Sequence, residues 1–570
     1  MKKRASSLPF RPLLAGLCLS LTAVAAAAEL AGPPQPAAET AAAIASASAA
    51  AGTDALPSAA ELVAAGAKVG KIELEIGNIF DVDDPREDRR LFHWVNRLHR
   101  LTRPHILLDR LLFREGDAFD PARLDESERL LRDARYFFDV DIRPTAYDAA
   151  KNEVTVRVRV RDVWTLKGGV KIGRSGGENS FGFGVEDDNF LGSGKSVKLD
   201  RRQNVDRTST LFHYLDPAIR GSRWQLLLDG ERNSDGDVYG AKIELPFYAL
   251  DARRAFGLQL RREESEVKLY ERGEIVDRFR RDRNLAEIYY GFSSGLKGKR
   301  VWRWLGGISF VDDDFLTSVE GTLGPLPGSR YLIYPFVGFS TAADRFAETH
   351  DFDQIARTED LQLGLAADFS VGFASEALGS DRDALVLEGV ASGGFELAKR
   401  QILTYDFALS GRLGKSGGED LLLSGALRYH LRDFGRHLLV LEAEGAVSEE
   451  LDRDHQLLLG GDNGLRGYPL RYQSGSSRFL LTAEQRFYTD WYPFRLANVG
   501  GAIFFDIGRT WSDDPFAQNR GWLSDIGLGL RLSSSRTHHG SMIHFDLAFP
   551  LDSDPNIKSI QWLVRTRTSF

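Results

Sequence analysis

From Trp164 to Phe570 the chain is written in short segments that alternate apolar and polar residues, with turn residues between them and no amphipathic helix. In "DIGLGLRLSS", Ile526, Leu528, Leu530 and Leu532 fall on one face, and Gly527, Gly529, Arg531 and Ser533 on the other. In "SMIHFDLAFPL", Ile543, Phe545, Leu547 and Phe549 oppose Met542, His544, Asp546 and Ala548. "SSRFLLTAEQRFY" sets Phe479, Leu481, Ala483 and Phe487 against Arg478, Thr482, Glu484 and Arg486. Period two places each set on one face of a strand.

A soluble β-sandwich shows the same period, and three features favour a transmembrane barrel. The apolar faces carry large residues over the roughly 9–11 positions that a tilted strand needs to cross a bilayer. The opposite faces mix arginine with glutamate, which suits a hydrated lumen. So long a meander would also leave open edges unless the sheet closes on itself. Eight of the nine tryptophans lie in this region, with Trp491, Trp511 and Trp562 near segment ends, where an aromatic girdle sits. Composition agrees only in permitting a barrel. A net charge of -8 and 27% charged residues describe a soluble protein equally well, because lumen residues dilute the lipid-facing ones.

The N-terminal part reads differently. Basic "MKKR", an apolar stretch and Ala26, Ala27 and Ala28 form a secretory signal over 1–28. Residues 29–69 are rich in alanine, with proline, serine and threonine, and read as a flexible linker. Residues 70–162 read as a small α+β module. "KIELEI" aligns Ile72, Leu74 and Ile76. "FDPARLDESERLLRDARYF" has a helix cap at Asp120, Pro121 at the first helical position and Leu124, Leu131 and Ala134 at helical spacing. "FFDVDI" aligns Phe138, Val140 and Ile142, and "EVTVRVRVRDVW" aligns Val154, Val156, Val158 and Val160.

Signatures of catalysis are missing. Cys18 is the chain's only cysteine and lies in the signal, so disulfides and thiolate chemistry are not expected in the mature chain. No HExxH, phosphate loop or CxxC occurs, and the GxSxG strings at 173–177, 291–295 and 414–418 lie among alternating segments with no helix after them and so form no nucleophile elbow; we expect neither an enzyme nor a bound cofactor or metal. His538 and His539 read as a turn. The run 86–103, "REDRRLFHWVNRLHRLTR", mixes arginine, histidine and tryptophan. For an exported chain it reads as a solvated helix, or as a surface for lipid head groups or a protein, rather than for nucleic acid.

One stretch between two strand-like segments has neither period. "GGDNGLRGYPLRYQSG" (460–475) is glycine-rich and holds Arg466 between Leu465, Gly467 and Tyr468. "GGDNGLRGY" resembles the (V/L)RG(F/Y) loop of the BamA/TamA superfamily of outer-membrane barrels, also called the bacterial surface antigen family. "FGFGVEDDNFLGSGKSV" (181–197) is similar to that family's opening hairpin, "AIFFDIGRTW" (502–511) to its xxDxG strand, and "IHFDLAFPL" with terminal Phe570 to its closing strands. Residues 105–142 look like a POTRA domain, the family's periplasmic module.

The resemblance implies a barrel of sixteen strands over 163–570, preceded by one POTRA module. The alternating segments number nearer twenty, about fifteen before the loop and five after it, and the sequence leaves the count open. It further implies that the loop folds into the barrel, where Arg466 pairs with Asp506 and Gly508 leaves room for the loop. The closing strand is expected over Trp562–Phe570, with Arg565 and Arg567 inward, sealing against a first strand near Trp164–Gly173. The implied function is insertion of barrel proteins into the outer membrane, or translocation of polypeptide across it, without nucleotide. The alternative is a channel, lipid-handling barrel or surface antigen that keeps the fold without insertase activity. Implied partners are outer-membrane lipid, a client strand on the POTRA edge and periplasmic accessory proteins, with the POTRA domain in the periplasm of a Gram-negative bacterium.

Overall fold

The computed structural model describes residues 56–567, apart from 86, 319–323, 351, 353–357, 433–436, 494–495, 513–520, 535–541 and 553. The signal over 1–28, most of the linker, the His538/His539 turn and Phe570 therefore lie outside the described residues.

The arm begins earlier than its composition suggests. Helix α1 (Ala59–Ala64) falls inside the stretch read as linker, where Ser58 and Glu61 cap each other reciprocally. Its Leu62, together with Ala67 and Val69, is buried in the arm's core. The linker reading to residue 69 is corrected accordingly. One turn is too short to show a periodic face, so the capping box was its only signal.

Strand β1 (Lys68–Gly77) leads to helices α2 (Arg90–Leu98), α3 (Pro104–Leu108) and α4 (Pro121–Arg132), then to strands β2 (Phe137–Asp148) and β3 (Glu153–Asp162). The sheet order is β1-β3-β2, with β3 parallel to β1 and antiparallel to β2. Asp120 caps α4 by accepting from Ala122 N–H, and Pro121 occupies its first turn. Leu124 and Leu131 of α4 pack on Val154, Val156, Val158 and Val160, none more than 1% exposed. Each such valine contributes about 1.5–3 kcal/mol of burial. In β2 the apolar face differs from expectation. A bulge between Phe137 and Asp139 turns Phe137 into the core and leaves Phe138 half-buried under Arg161.

From Leu166 to Arg567 the chain forms a closed antiparallel barrel of twenty strands, and this corrects the sixteen implied by resemblance. Fifteen strands precede the glycine-rich loop and five follow it. The first strand is Leu166–Ser175, two residues later than the expected Trp164–Gly173. Lipid-facing side chains such as Ile172, Phe183, Ile526 and Leu528 are exposed, and their inward neighbours are glycines or charged groups such as buried Asp525. Lys171, for example, lies 2.5 Å from Asp200 on the inner face. The seventh to ninth strands (Arg254–Glu271, Glu274–Lys297 and Arg300–Thr317) far exceed a bilayer crossing and project away from the arm.

The arm docks on the turns at one end of the barrel. Buried Asp162, where the arm's sheet ends, accepts from Thr102 N–H and Oγ1 and contacts His99. Asn189, in a barrel turn, donates to Thr102 Oγ1 at 2.7 Å. Arg223 donates to the carbonyls of Arg110 and Leu111, and Leu250 N–H donates to Glu126. Burial pushes the Glu126 carboxyl above its usual range, against that hydrogen bond. A hairpin between the tenth and eleventh strands (346–362) stands outside the barrel sheet and gives Asp360 and Glu348 to Arg132 of α4. Phe352 of this hairpin lies 4.0 Å from the ring of inward-facing His430.

Candidate functional site: the inserted loop and the barrel seam

Residues 450–476 leave the fifteenth strand on the side away from the arm and turn back into the barrel. Two short strands, Leu457–Leu459 and Gln473–Gly475, pair with each other and frame the glycine-rich segment. Leu459, Leu465, Tyr468 and Tyr472 bury together against Leu480 and Leu523 of the barrel wall. Leu465 and Tyr468 are 0% exposed. This apolar cluster holds the loop against the wall and excludes water around its arginine.

Arg466 enters a buried ionic cluster built by four consecutive strands: Ser477–Tyr488, Ala497–Trp511, Leu523–Ser534 and Met542–Pro550. Its Nε and Nη2 donate to Asp506 Oδ2 and Oδ1 at 2.7 and 2.9 Å, a bidentate fork. Nη1 donates to Glu484 at 2.8 Å and lies 3.7 Å from Asp546. The guanidinium carbon is 3.4 Å from the centre of the Phe504 ring. Arg531 closes the cluster, donating to Glu484 at 2.9 Å and to Asp546 at 2.6 Å. Arg486 donates to Glu484 at 3.0 Å, and Thr482 to Asp506 at 2.9 Å. Three arginines thus meet three carboxylates, so the group carries no formal net charge.

The residues beside Arg466 fix its position. Gly467 N–H donates to Asp525 at 3.0 Å. A Cβ at Gly467 would lie 2.8 Å from Asp525 Cβ and 3.0 Å from Pro550 N, so only glycine passes. Tyr468 Oη lies 2.5 Å from Asp552 Oδ2 and accepts from Ser524 N–H. Gly508 faces inward, and a Cβ there would meet Leu459 Cδ2 at 3.0 Å, so the space it leaves is filled by the loop's first short strand.

Some functional residues escaped the sequence reading. A second loop arginine, Arg471, reaches across the lumen to Asp206 at 2.7 Å and covers the Tyr270 ring. Burial pushes the Asp206 carboxyl up, but Arg471 outweighs it and holds the group below the usual carboxylate range. Glu484, Arg531 and Asp546 were legible only as inward-facing residues of separate strands. The barrel register makes them one cluster. Asp420, Asp452 and His455 also converge, but Arg330 and Arg412 already bind Asp452, so the group reads as an ion-paired anchor of the loop.

The seam is the second part of the site. Between the last strand (Gln561–Arg567) and the first, the described residues form one register pair, Val564 with Arg174. The next junction, first strand to second, pairs continuously from Leu166 with Asp187 to Ser175 with Glu178. Arg174 lies 4.5 Å over the ring of Trp562 across the seam. The Gly461 carbonyl accepts from Ser175 Oγ at 2.6 Å and from Arg565 Nη1 at 3.4 Å, so the loop touches both sides of the junction. A Cβ at Gly461 would lie 2.5 Å from Gly176 Cα, and this close approach requires glycine. The side chain of Arg567 lies outside the described residues.

Comparison with known proteins bears on both halves of the chain. Residues 98–162 match the POTRA family model, described as a surface antigen variable number repeat. "Outer membrane protein assembly factor BamA" of Buchnera aphidicola is 27% identical over 123 residues, 20% of this chain and 20% of that protein. The protein of the same name in Nitratidesulfovibrio vulgaris is 27% identical over 156 residues, 26% of this chain and 18% of that protein. The matches thus span a fifth or less of these relatives. The solved structure of CdiB from Escherichia coli aligns with 88% of this chain and 76% of that chain at 14% identity, with a TM-score of 0.45. The POTRA match over 98–162, the two partial relatives and the closed twenty-strand barrel behind the arm together support a BamA/TamA-type barrel with a POTRA domain.

Proposed function

We propose that this protein handles polypeptide at the outer membrane of a Gram-negative bacterium, inserting barrel proteins or translocating a client, with its arm in the periplasm and without nucleotide. The observation that carries the reading is the seam. Among the described residues the seam keeps one register pair, Val564 with Arg174, where every other barrel junction has at least seven, and a loop pinned by Arg466 rests on both sides of it. Over the described residues little backbone bonding opposes parting there, and strand edges freed by parting can accept a client strand. The arm supplies a second acceptor. Near Val69 the β1 edge is already taken by the backbone at Gly116 and Asp117, which leaves β2 as the sheet's other edge. Main-chain pairing at such edges gives affinity with little sequence selectivity, as a handler of many clients requires. Periplasmic accessory proteins would bind the arm.

The outer-membrane and secreted proteomes of a deletion strain, complemented with wild type or Arg466→Ala, test this reading. We expect a defined set of barrels, or one exported protein, to disappear and to return with wild type but not with the variant. Unchanged proteomes with altered permeability or lipid asymmetry would replace it with a channel or lipid-handling barrel.

A further inference from the structure

Helix α2 carries one continuous apolar arc of which only half is covered. Phe92 is 3% exposed and stacks on Phe80 at 3.9 Å, and with Val95 it packs toward Trp164, just before the first barrel strand, and Leu496. The other half of the arc is bare: Leu91, Trp94 and Leu98 are 49%, 59% and 53% exposed. Helical spacing of three and four puts these three on one stripe beside the covered half. Large apolar side chains grouped this way on a soluble domain mark a surface that something covers.

The surroundings say what covers it. Trp164 has the same strand parity as Leu166, Val170 and Ile172, which are exposed along the barrel's lipid face. The bare stripe continues through exposed Leu101, whose carbonyl touches Gly192, to exposed Phe190 and Leu191 in the same barrel turn. That turn ends the hairpin whose Phe181, Phe183 and Val185 face lipid. The stripe is therefore continuous with the lipid-facing band at its arm-side edge. Arg90, Arg97, Arg100 and Arg103 border it, are exposed, and form no salt bridge among the described residues. A rim of uncompensated arginines beside a Trp/Leu face is the composition of a helix lying in an anionic lipid interface.

We propose that α2 is a membrane-surface helix that seats the arm on the leaflet at its end of the barrel. Leu91, Trp94 and Leu98 enter about 5–10 Å into the headgroup and acyl boundary, as interfacial helices do. The four arginines meet lipid phosphates. Because α2 packs beside Trp164 at the foot of the first strand, this seating holds the arm next to the seam.

The test uses the full chain reconstituted in vesicles of phosphatidylethanolamine and phosphatidylglycerol, or of phosphatidylcholine alone, with a bimane label at one introduced cysteine. Leu91→Cys, Trp94→Cys and Leu98→Cys report the stripe, His93→Cys the opposite face, and Leu528→Cys the inserted barrel. Spin-labelled lipids should quench the three stripe positions several-fold more than position 93, and more strongly with phosphatidylglycerol than without. Arg90→Glu with Arg97→Glu should abolish the phosphatidylglycerol preference while quenching at position 528 stays unchanged. Stripe labels as water-accessible as position 93, in vesicles where position 528 is quenched, overturn the proposal and leave the face to a client or accessory protein. Equal quenching in the two vesicle types overturns it as well, because the arginines would then have no role.

Discussion

At the scale of single residues, the account rests on how Arg466 is satisfied. Three of its nitrogens bond buried carboxylates, and its plane lies on Phe504, so every favourable interaction is made where water is absent. Removing one partner of such a cluster leaves an uncompensated buried charge, which typically costs about 3–5 kcal/mol. Arg466→Ala should lower stability by about that amount in urea unfolding of the detergent-folded barrel, and Arg466→Lys by less, since it keeps the charge but loses the fork. A loss within experimental error would mean that the loop is held by its apolar residues alone. The pairing of Arg466 with Asp506 could be anticipated because a motif names both. Glu484, Arg531 and Asp546 could not, since each sits in its own strand and only the register of four strands assembles them.

At the scale of elements, two tethers hold the inserted loop and the outer hairpin in place, and each has a measurable signature. Arg471 ties the loop to Asp206, whose carboxyl is held below its usual range. A depressed folded-state value means that the contribution is fully present above the unfolded value of about 3.9 and is lost as pH falls through the folded value. Wild type should therefore exceed Asp206→Asn in stability at neutral pH, and the gap should close as unfolding is followed below about pH 4. A gap that does not depend on pH would show that the carboxylate's charge is not what holds Arg471. On the arm side, Arg132 binds Asp360 of the hairpin over 346–362. Arg132→Ala should speed hydrogen exchange in that hairpin while β3 stays protected, and unchanged exchange would remove it as a docking contact. Neither tether was legible beforehand. No motif singles out the hairpin, and Arg471 stands in a stretch whose resemblance drew attention to Arg466. Helix α4 was legible to its cap because Asp120, Pro121 and the leucine spacing all agree. Helix α1 was hidden by alanine-rich surroundings, which carry no face.

At the scale of the whole molecule, alternation gave a better strand count than resemblance did. Period two is enforced by lipid on one side and the lumen on the other, so each crossing leaves its own record. Strand number in a family leaves none, and fifteen of the twenty strands lie before the loop. The five strands after it, which build the ionic cluster and one side of the seam, match the expected pattern closely because the loop needs their inward residues. These features concentrate on one claim, that the barrel opens between its first and last strands. Cysteines at Arg174 and Val564, the register pair across the junction, can close it covalently, since facing strand residues lie within disulfide reach. The most direct measurement is complementation of a deletion strain by this double variant, oxidised or reduced. The account predicts loss of function when the seam is locked and recovery on reduction, with each single cysteine variant active throughout. Full function with a quantitatively locked seam would contradict it.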